Sequence, residues 1–242
     1  MTPSHQFHIS PSLVRDDTVC VPLGNLYRQM VQVLRLQRGE AVRFFDGMGH
    51  VLDAHIAHIN RDGILAPIDQ RTEQPQGRNV TLAIGILKND RMRWVLEKAT
   101  ELGVTAIIPL LTERVVKRPD IAPPRWNAIV REAAEQSGHA WLPTIESVTE
   151  LRALLDHADS SFIFFSPEAP MGSSIPAGDH PITLLIGPEG GFTENEADLA
   201  KHQGATPVSL GPHQLRADTA ALAAIVQISN GQYPIINAKA KV

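Results

Sequence analysis

Residues 182–196 constrain this chain more than any other segment, because strand, loop and helix signals follow one another within fifteen residues. The segment starts as an apolar run, Ile182-Thr183-Leu184-Leu185-Ile186, of the kind that a buried strand takes. It breaks at Gly187-Pro188, turns through Glu189-Gly190-Gly191 and restarts at Thr193. Thr193 with Glu196 forms a capping box, which satisfies two orphan backbone donors at a helix start. Glycines in the loop leave no Cβ between the backbone and a ligand.

Alternating strand and helix signals surround this loop. Residues 80–87 are a strand. A helix follows, with Asn89 or Asp90 as its cap and Met92, Val95, Leu96, Ala99 and Leu102 on one face, stopped by Gly103. Residues 104–111 are a second buried strand. Residues 123–137 form a helix with Trp126, Ile129, Val130, Ala133 and Ala134 inward, stopped by Gly138. Ser147 with Glu150 is a second capping box, opening a helix to His157. Phe162 to Phe165 and residues 206–210 are strands, and Asp218 or Thr219 caps a final apolar helix to about Ser229. The alternation implies an α/β fold with a largely parallel sheet and helices on both faces.

The N-terminal part reads differently. Residues 42–56 are a hairpin, with turn chemistry at Asp46-Gly47 and Gly49. Residues 64–68 are another strand, and Tyr27 to Arg35 is one short helix ending near Arg38-Gly39. Short strands with glycine turns and one helix suggest a small barrel. The polar stretch 71–77 lacks periodicity and is the expected linker. The expected domains are therefore 1–72 and 73–242.

Composition narrows the function classes. The 242 residues are 43% hydrophobic and 20% charged, ordinary for a globular protein in water. The longest apolar runs reach about half the length of a membrane span. The first residues lack a basic region and an apolar core, so no secretory signal is expected. A single cysteine, Cys20, excludes an internal disulfide framework. These features point to the cytoplasm. Ten histidines occur, none in metal-ligand spacing, so no metal is expected. The net charge of −4 argues against a nucleic-acid partner, but residues 78–118 hold eight basic and four acidic side chains. That block is either a surface for a polyanion or a solvated helix face.

In open parallel sheets, ligands bind at loops beyond the carboxyl ends of strands. Three such loops stand out: 112–114, 187–192 and 211–216. Two of them open with Gly-Pro directly after a β run, which suggests two walls of one pocket. The glycine loop has no Gly-Lys-Ser/Thr and no Gly-x-Gly-x-x-Gly, so it is neither a Walker loop nor a dinucleotide fingerprint. Glu189 argues against a phosphate. Backbone groups suit a flat, neutral moiety such as adenine. The residues leave open an enzyme with a nucleotide-like cofactor or a binding-only domain.

Residues 184–192, Leu-Leu-Ile-Gly-Pro-Glu-Gly-Gly-Phe, together with Leu210-Gly211-Pro212, Leu215-Arg216 and Thr219-Ala220, closely resemble the bacterial small-subunit ribosomal RNA uracil-N3 methyltransferases of the SPOUT class (the RsmE family). Lys88, residues 97–104, Glu113-Arg114 and Glu135-Gln136-Ser137-Gly138 extend the resemblance. Val33-Leu34-Arg35, Gly39 and residues 45–49 look like that family's PUA-like RNA-binding barrel. The resemblance covers nearly the whole chain. It departs from the family pattern at His139, His213, Ala217 and Asp218, and at the missing early Arg before Phe7.

The resemblance implies a PUA-like β-barrel followed by a SPOUT α/β domain tied in a deep trefoil knot, acting as a homodimer. The knot and the dimer rest on the resemblance alone. It implies S-adenosylmethionine as cofactor, held by Ile186, Gly187, Pro188, Glu189, Gly190 and Gly191, by Leu210, Gly211 and Pro212, and by Leu215, Arg216 and Thr219. The implied reaction methylates N3 of a uridine in 16S ribosomal RNA of the small subunit. Uracil N3 is a poor nucleophile until its proton is lost, so the enzyme removes that proton or stabilises the anion over O2 and O4. A fixed guanidinium suits the second task. Arg114 and Arg216 are the candidates, and Arg216 could instead pair with Asp218 or Glu189. Glu135 and His139 are the candidate bases. Arg35, Lys88, Arg91, Arg93, Lys117 and Arg118 are the expected RNA contacts. The rival expectations are methylation of another RNA or of a ribose 2′-OH, and a non-catalytic RNA-binding assembly factor.

Overall fold

The fold is that of a computed structural model, which describes residues 3, 5–116, 118–157, 161–166, 169 and 180–229. Two units separate by their contacts. The described residues up to Gln76 form one together with Ala134–Leu142, and those in Gly77–Ala133 and from Pro143 onward form the other.

The first unit holds β1 (Gln6–His8), a 3-10 turn (Pro11–Leu13), β2 (Val14–Arg15), β3 (Thr18–Pro22), α1 (Asn25–Tyr27), β4 (Ala41–Phe45), β5 (His50–His55), β6 (His58–Asn60) and β7 (Gly63–Glu73). The strand order is β1-β4-β5-β7-β3-β2, with β6 on β7. Only the β1–β4 pair is parallel among these strands. Alternate residues of the strands turn inward, so Phe7, Val42, Phe44, Ala54 and Ile64 are all within 1% of full burial. The expected hairpin is β4–β5. Asp46 fixes its turn by accepting the N–H groups of Met48 (2.7 Å) and His50 (3.2 Å).

Two expectations need correction here. The helix expected from Tyr27 to Arg35 starts at Asn25 and winds as a π-helix over Arg28–Val33. The wider winding sinks Met30 to 0% exposure and leaves Val33 at 73%. The stretch 71–77 is not all linker, because β7 runs on to Glu73 with Arg71 opposite Leu52 and Glu73 opposite His50. Its side chains there are exposed on both faces, so no alternation marks the strand.

Residues 134–142 pack within this unit. Glu135 Oε1 accepts the His8 N–H at 3.0 Å, and Gln6 Nε2 donates to the His139 carbonyl at 2.9 Å. Trp141 Nε1 donates to the Gln74 carbonyl at 2.8 Å. The apolar side chains of Ala134, Ala140 and Leu142 cluster with Phe45 and Val51.

The second unit holds β8 (Val80–Gly85), α2 (Asn89–Glu101), β9 (Ala106–Leu111), most of α3 (Arg125–Ser137), β10 (Thr144–Ile145), β11 (Thr149–Glu150), α4 (Leu151–His157), β12 (Ser161–Phe165), β13 (Ile182–Ile186), α5 (Glu194–His202), β14 (Thr206–Val208) and α6 (Ala217–Ser229). Every pair in the sheet is parallel, in the order β10-β9-β8-β13-β12-β14, with β11 on β9. β13 lies in the middle and is buried along its whole length. Leu184 and Ile186 face one apolar cluster with Met92, Leu96 and Ile225. Leu185 faces the other, with Phe164, Leu155 and Ala200. Side chains that alternate across a strand thus place helices on both faces of the sheet. Each fully buried Leu or Ile contributes about 1.5–3 kcal/mol.

Three helix starts differ from expectation. α2 begins at Asn89, so Lys88 takes the cap position that was expected for Asn89 or Asp90. Ser147 and Glu150 form no capping box, because Thr149 and Glu150 pair as a strand with Leu110 and Leu111 and the helix starts at Leu151. α6 begins at Ala217, ahead of Asp218 and Thr219. The capping box of Thr193 and Glu196 is present as expected. Among the described residues, no helix is long and apolar enough to cross a membrane.

Candidate cofactor pocket at the strand ends

A cavity of about 280 Å3 opens at the carboxyl ends of β12, β13 and β14. Its first wall is the glycine loop. Gly191 N–H donates to the Pro188 carbonyl at 2.8 Å, closing a tight turn. The loop doubles back so closely that a Cβ on Gly187 would lie 2.9 Å from the Gly191 carbonyl carbon and the Phe192 nitrogen. Pro188 sits against the end of β8, where a Cβ on Gly85 would meet its ring at 2.5 Å. Phe192 closes the turn by packing on Phe164, with ring centroids 5.2 Å apart.

Two of the three acids of this segment, Glu189 and Glu196, hold neighbouring backbone groups. Glu189 Oε1 accepts the Lys88 N–H at 3.1 Å, at the start of α2. A carboxylate there is favoured by the helix dipole. Glu196, only 8% exposed, accepts from Thr193 through Oε2 and from the Glu113 N–H through Oε1 at 2.8 Å. Arg114 reaches the same loop from the other direction. Its Nη1 donates to the carbonyls of Gly190 (2.7 Å) and Phe192 (3.3 Å).

The cavity gathers Ile186, Gly187, Pro188, Glu189, Gly190 and Gly191 with Leu210, Gly211 and Leu215, and Arg114 also lines it. Pro212, Arg216 and Thr219 lie outside the lining. The start of α6 explains two of these. Ala217 and Ala220, three residues apart, face the cavity, so Arg216 and Thr219 fall on a neighbouring, exposed face. Arg216 forms no ion pair with Asp218 or Glu189. Asp218 accepts the Thr219 N–H, and Glu189 accepts Lys88. Glu135 and His139 are absent from the lining, and Glu135 accepts from His8 and Gln29 in the first unit.

Sequence reasoning missed Phe165 and Ser166 at the end of β12, and it singled out the loop 211–216 without giving His213 and Gln214 a part in the pocket. The strand-end rule that found the glycine loop applies to β12 as well and would have found the first two.

The expected RNA-contact residues fall in both units. Arg35 is exposed in the first unit, at φ 56°. Lys88 and Arg93 are exposed at the start of α2 and Arg91 is half-buried beside them. Arg118 donates Nη1 to the Thr112 carbonyl at 2.8 Å. Lys117 lies outside the described residues. Lys98 bridges Glu101 (2.7 Å) and Glu97 (2.8 Å), which together raise its pKa, with the Glu101 hydrogen bond the larger cause. Both glutamates belong to the block, so the pairing leaves its counted charge unchanged and occupies Lys98. Among the described residues, no three His, Cys, Asp or Glu side chains group as metal ligands.

The cavity is lined by the glycine loop, by the apolar residues Leu210, Leu215 and Ala220, and by the acidic residues Glu189 and Glu194. Such a wall fits an adenine moiety joined to a cationic sulfonium, as in S-adenosylmethionine. Two acidic residues in the lining disfavour a polyphosphate.

Comparison with known proteins agrees with this chemistry. Residues 72–229 match the family model for an RNA methyltransferase domain, and residues 28–68 match that for an RNA methyltransferase PUA domain. Ribosomal RNA small subunit methyltransferase E of Synechocystis sp. is 34% identical, over 93% of this chain and 77% of the relative. The protein of the same name from Rickettsia conorii is 29% identical, over 93% and 94%. The crystal structure of ribosomal RNA small subunit methyltransferase E from Neisseria gonorrhoeae bound to S-adenosyl methionine superposes with a TM-score of 0.84 at 33% identity, covering 93% of this chain and 97% of that one. A protein from Legionella pneumophila, solved in complex with the bound cofactor S-adenosylmethionine, gives 0.85 at 27% identity, covering 95% and 98%.

Proposed function

We propose that this chain, which belongs to the ribosomal RNA small subunit methyltransferase E family of RNA methyltransferases, methylates N3 of a uridine in 16S ribosomal RNA with S-adenosylmethionine as donor. The observation that carries the reading is the single cavity in which the glycine loop after β13 meets Leu210, Gly211 and Leu215 of the loop after β14. S-adenosylmethionine, when bound, supplies an electrophilic methyl group. Residues 186–191 and 210–211 hold its flat and polar parts through backbone groups, and Leu215 and Ala220 exclude water. Arg114 carries a fixed positive charge into the cavity wall. There it stabilises the charge that spreads over uracil O2 and O4 once the N3 proton has passed to water. Arg216, exposed and one residue before α6, is the second guanidinium within reach of a docked RNA.

Residues 1–72 act as a PUA-like RNA-binding barrel and 73–242 as the SPOUT domain with its trefoil knot. The family-model matches at 28–68 and 72–229 support this division. Arg35, Lys88, Arg91, Arg93, Lys117 and Arg118 contact phosphates, which position the RNA rather than read its sequence. The working form is a cytoplasmic homodimer. An apolar strip on α6, of Leu222, Ala223 and the exposed Val226, supports the dimer.

The test is in vitro methylation of small ribosomal subunits from a strain lacking the modification. Nucleoside analysis is expected to show N3-methyluridine, formed only with S-adenosylmethionine present. Label appearing on a ribose 2′-OH, or no transfer by a protein that binds the cofactor, overturns the reading. Light scattering at twice the chain mass checks the dimer.

A further inference from the structure

The two carboxylate oxygens of Glu196 serve different partners. Oε2 accepts the Thr193 N–H (2.9 Å) and hydroxyl (3.3 Å), which completes the capping box of α5. Oε1 accepts the N–H of Glu113 at 2.8 Å, from a residue 83 positions earlier in the chain. Glu113 lies between Thr112 and Arg114, just beyond β9. Arg114 in turn donates to the carbonyls of Gly190 and Phe192. The loop after β9 and the loop after β13 are thus joined twice, in opposite senses. A carboxylate at the end of the second loop takes an N–H of the first, and a guanidinium of the first reaches carbonyls of the second. Helix capping requires neither Oε1 nor this burial, since Oε2 alone completes the box. A buried carboxylate with donors on both oxygens is a fixed point, because shifting one loop against the other leaves Oε1 of a buried charge without its donor.

We propose that Glu196 is a positioning residue for methyl transfer, setting the separation between the loop that carries Arg114 and the glycine loop. The proposal rests on the reading of the cavity given under Proposed function. Glu196 does not line the cavity. It acts through Glu113 and Thr193, so that the cofactor wall and the guanidinium wall arrive as one unit. Preorganisation of this kind matters because small misplacements near a reacting centre cost much of the rate.

Glu196→Gln separates this role from capping. A capping box works with Gln as well as Glu. Gln has one acceptor oxygen, and its NH2 cannot accept from the other N–H. A role confined to the cap leaves the Gln variant equal to wild type, whereas the positioning role makes it defective. Wild type, Glu196→Gln and Glu196→Ala are titrated with S-adenosylmethionine by calorimetry, at a temperature where circular dichroism shows each one folded. The rate on unmethylated small ribosomal subunits is then measured. The expected result for Glu196→Gln is full stoichiometry, a Kd weakened about tenfold, a lower kcat and an unchanged KM for the ribosomal subunit. Wild-type Kd and kcat in Glu196→Gln overturn the proposal. So does a reduced stoichiometry with unchanged Kd, which marks partial unfolding alone. Should Glu196→Ala not fold, Glu196→Gln still decides the question. Failure of the wild type itself to bind S-adenosylmethionine refutes the cofactor reading instead.

Discussion

Arg114 and Gly190 meet in the cavity wall. Arg114 Nη1 is 2.7 Å from the Gly190 carbonyl oxygen. The Cβ and Cδ of Arg114 lie 3.2 Å from where a Cβ on Gly190 would stand. The glycine therefore makes room for the arginine stem as well as for a ligand. Arg114 is exposed, so its stem can shift by the few tenths of an ångström that a methyl group needs.

Gly190→Ala is accordingly expected to fold with a stability change within about 1 kcal/mol. Gly190→Val displaces Arg114 and weakens S-adenosylmethionine binding. The two residues then act as one unit, so Gly190→Val added to Arg114→Ala costs less than the sum of the single effects. A double-mutant cycle on cofactor affinity measures this, and additive losses would show that Gly190 acts on the ligand without Arg114.

Gly85→Ala is a harder change. A Cβ there meets Pro188 Cδ and N at 2.5 Å, and neither the ring nor the backbone can rotate away as an arginine can. The expected cost is about 1–3 kcal/mol, as for other overpacked sites, with the glycine loop displaced from β8. Urea denaturation with a lowered midpoint and unchanged slope checks the stability. Cofactor binding as tight as wild type in the variant would mean that the loop does not depend on Pro188 resting on β8.

What the sequence made legible was local. The run 182–186, the break at Gly187-Pro188 and the capping box at Thr193 and Glu196 are each written within a few residues, and β13, the loop and α5 follow them. Signals of the same grade failed where a distant partner competed. Ser147 and Glu150 match the capping pattern, but Thr149 and Glu150 gain strand pairing with Leu110 and Leu111. The end of β12, with Phe165 and Ser166, was open to the strand-end rule, but the place of β12 between β13 and β14, which brings it to the glycine loop, is written in no local pattern. Oε1 of Glu196 was hidden for the same reason, since its partner is 83 residues away. Charge counting gave the block its net charge but not which cations are occupied, since Lys98 is held by Glu97 and Glu101.

The β4–β5 hairpin carries a pH-dependent ion pair. His50 Nδ1 is 2.6 Å from Asp46 Oδ2. The hydrogen bond and charge of Asp46 raise the His50 pKa. For Asp46, burial pushes the pKa up, but the Met48 N–H and His50 outweigh it and the net shift is downward. The raised histidine adds stability that is full below its unfolded pKa and lost as pH rises through the folded one. The lowered aspartate adds stability that is lost as pH falls through its own. The hairpin is therefore most stable in mildly acidic solution. Between about pH 6 and pH 8, wild type should lose more thermal stability than His50→Gln. Parallel Tm profiles for the two proteins would show that the pair contributes nothing.

Thr112 and Thr100 give opposite expectations for the same substitution. Both are buried, at 2% and 1% exposure. The Thr100 hydroxyl donates to the Leu96 carbonyl at 2.8 Å, whereas the Thr112 hydroxyl has no hydrogen-bond partner among the described residues. A buried hydroxyl without a partner carries a desolvation cost of about 1–3 kcal/mol, which valine removes at nearly the same volume. Thr112→Val is therefore expected to leave Tm unchanged or raise it, and Thr100→Val to lower it by the loss of a hydrogen bond. Because Thr112 precedes Glu113, the variant also probes whether the loop after β9 needs that hydroxyl. A stabilised Thr112→Val protein that keeps wild-type cofactor affinity assigns the hydroxyl no part in holding the loop. A destabilised one means that the hydroxyl has a hydrogen-bond partner in solution, and its identity is then to be sought by the same substitution in the cofactor-bound protein.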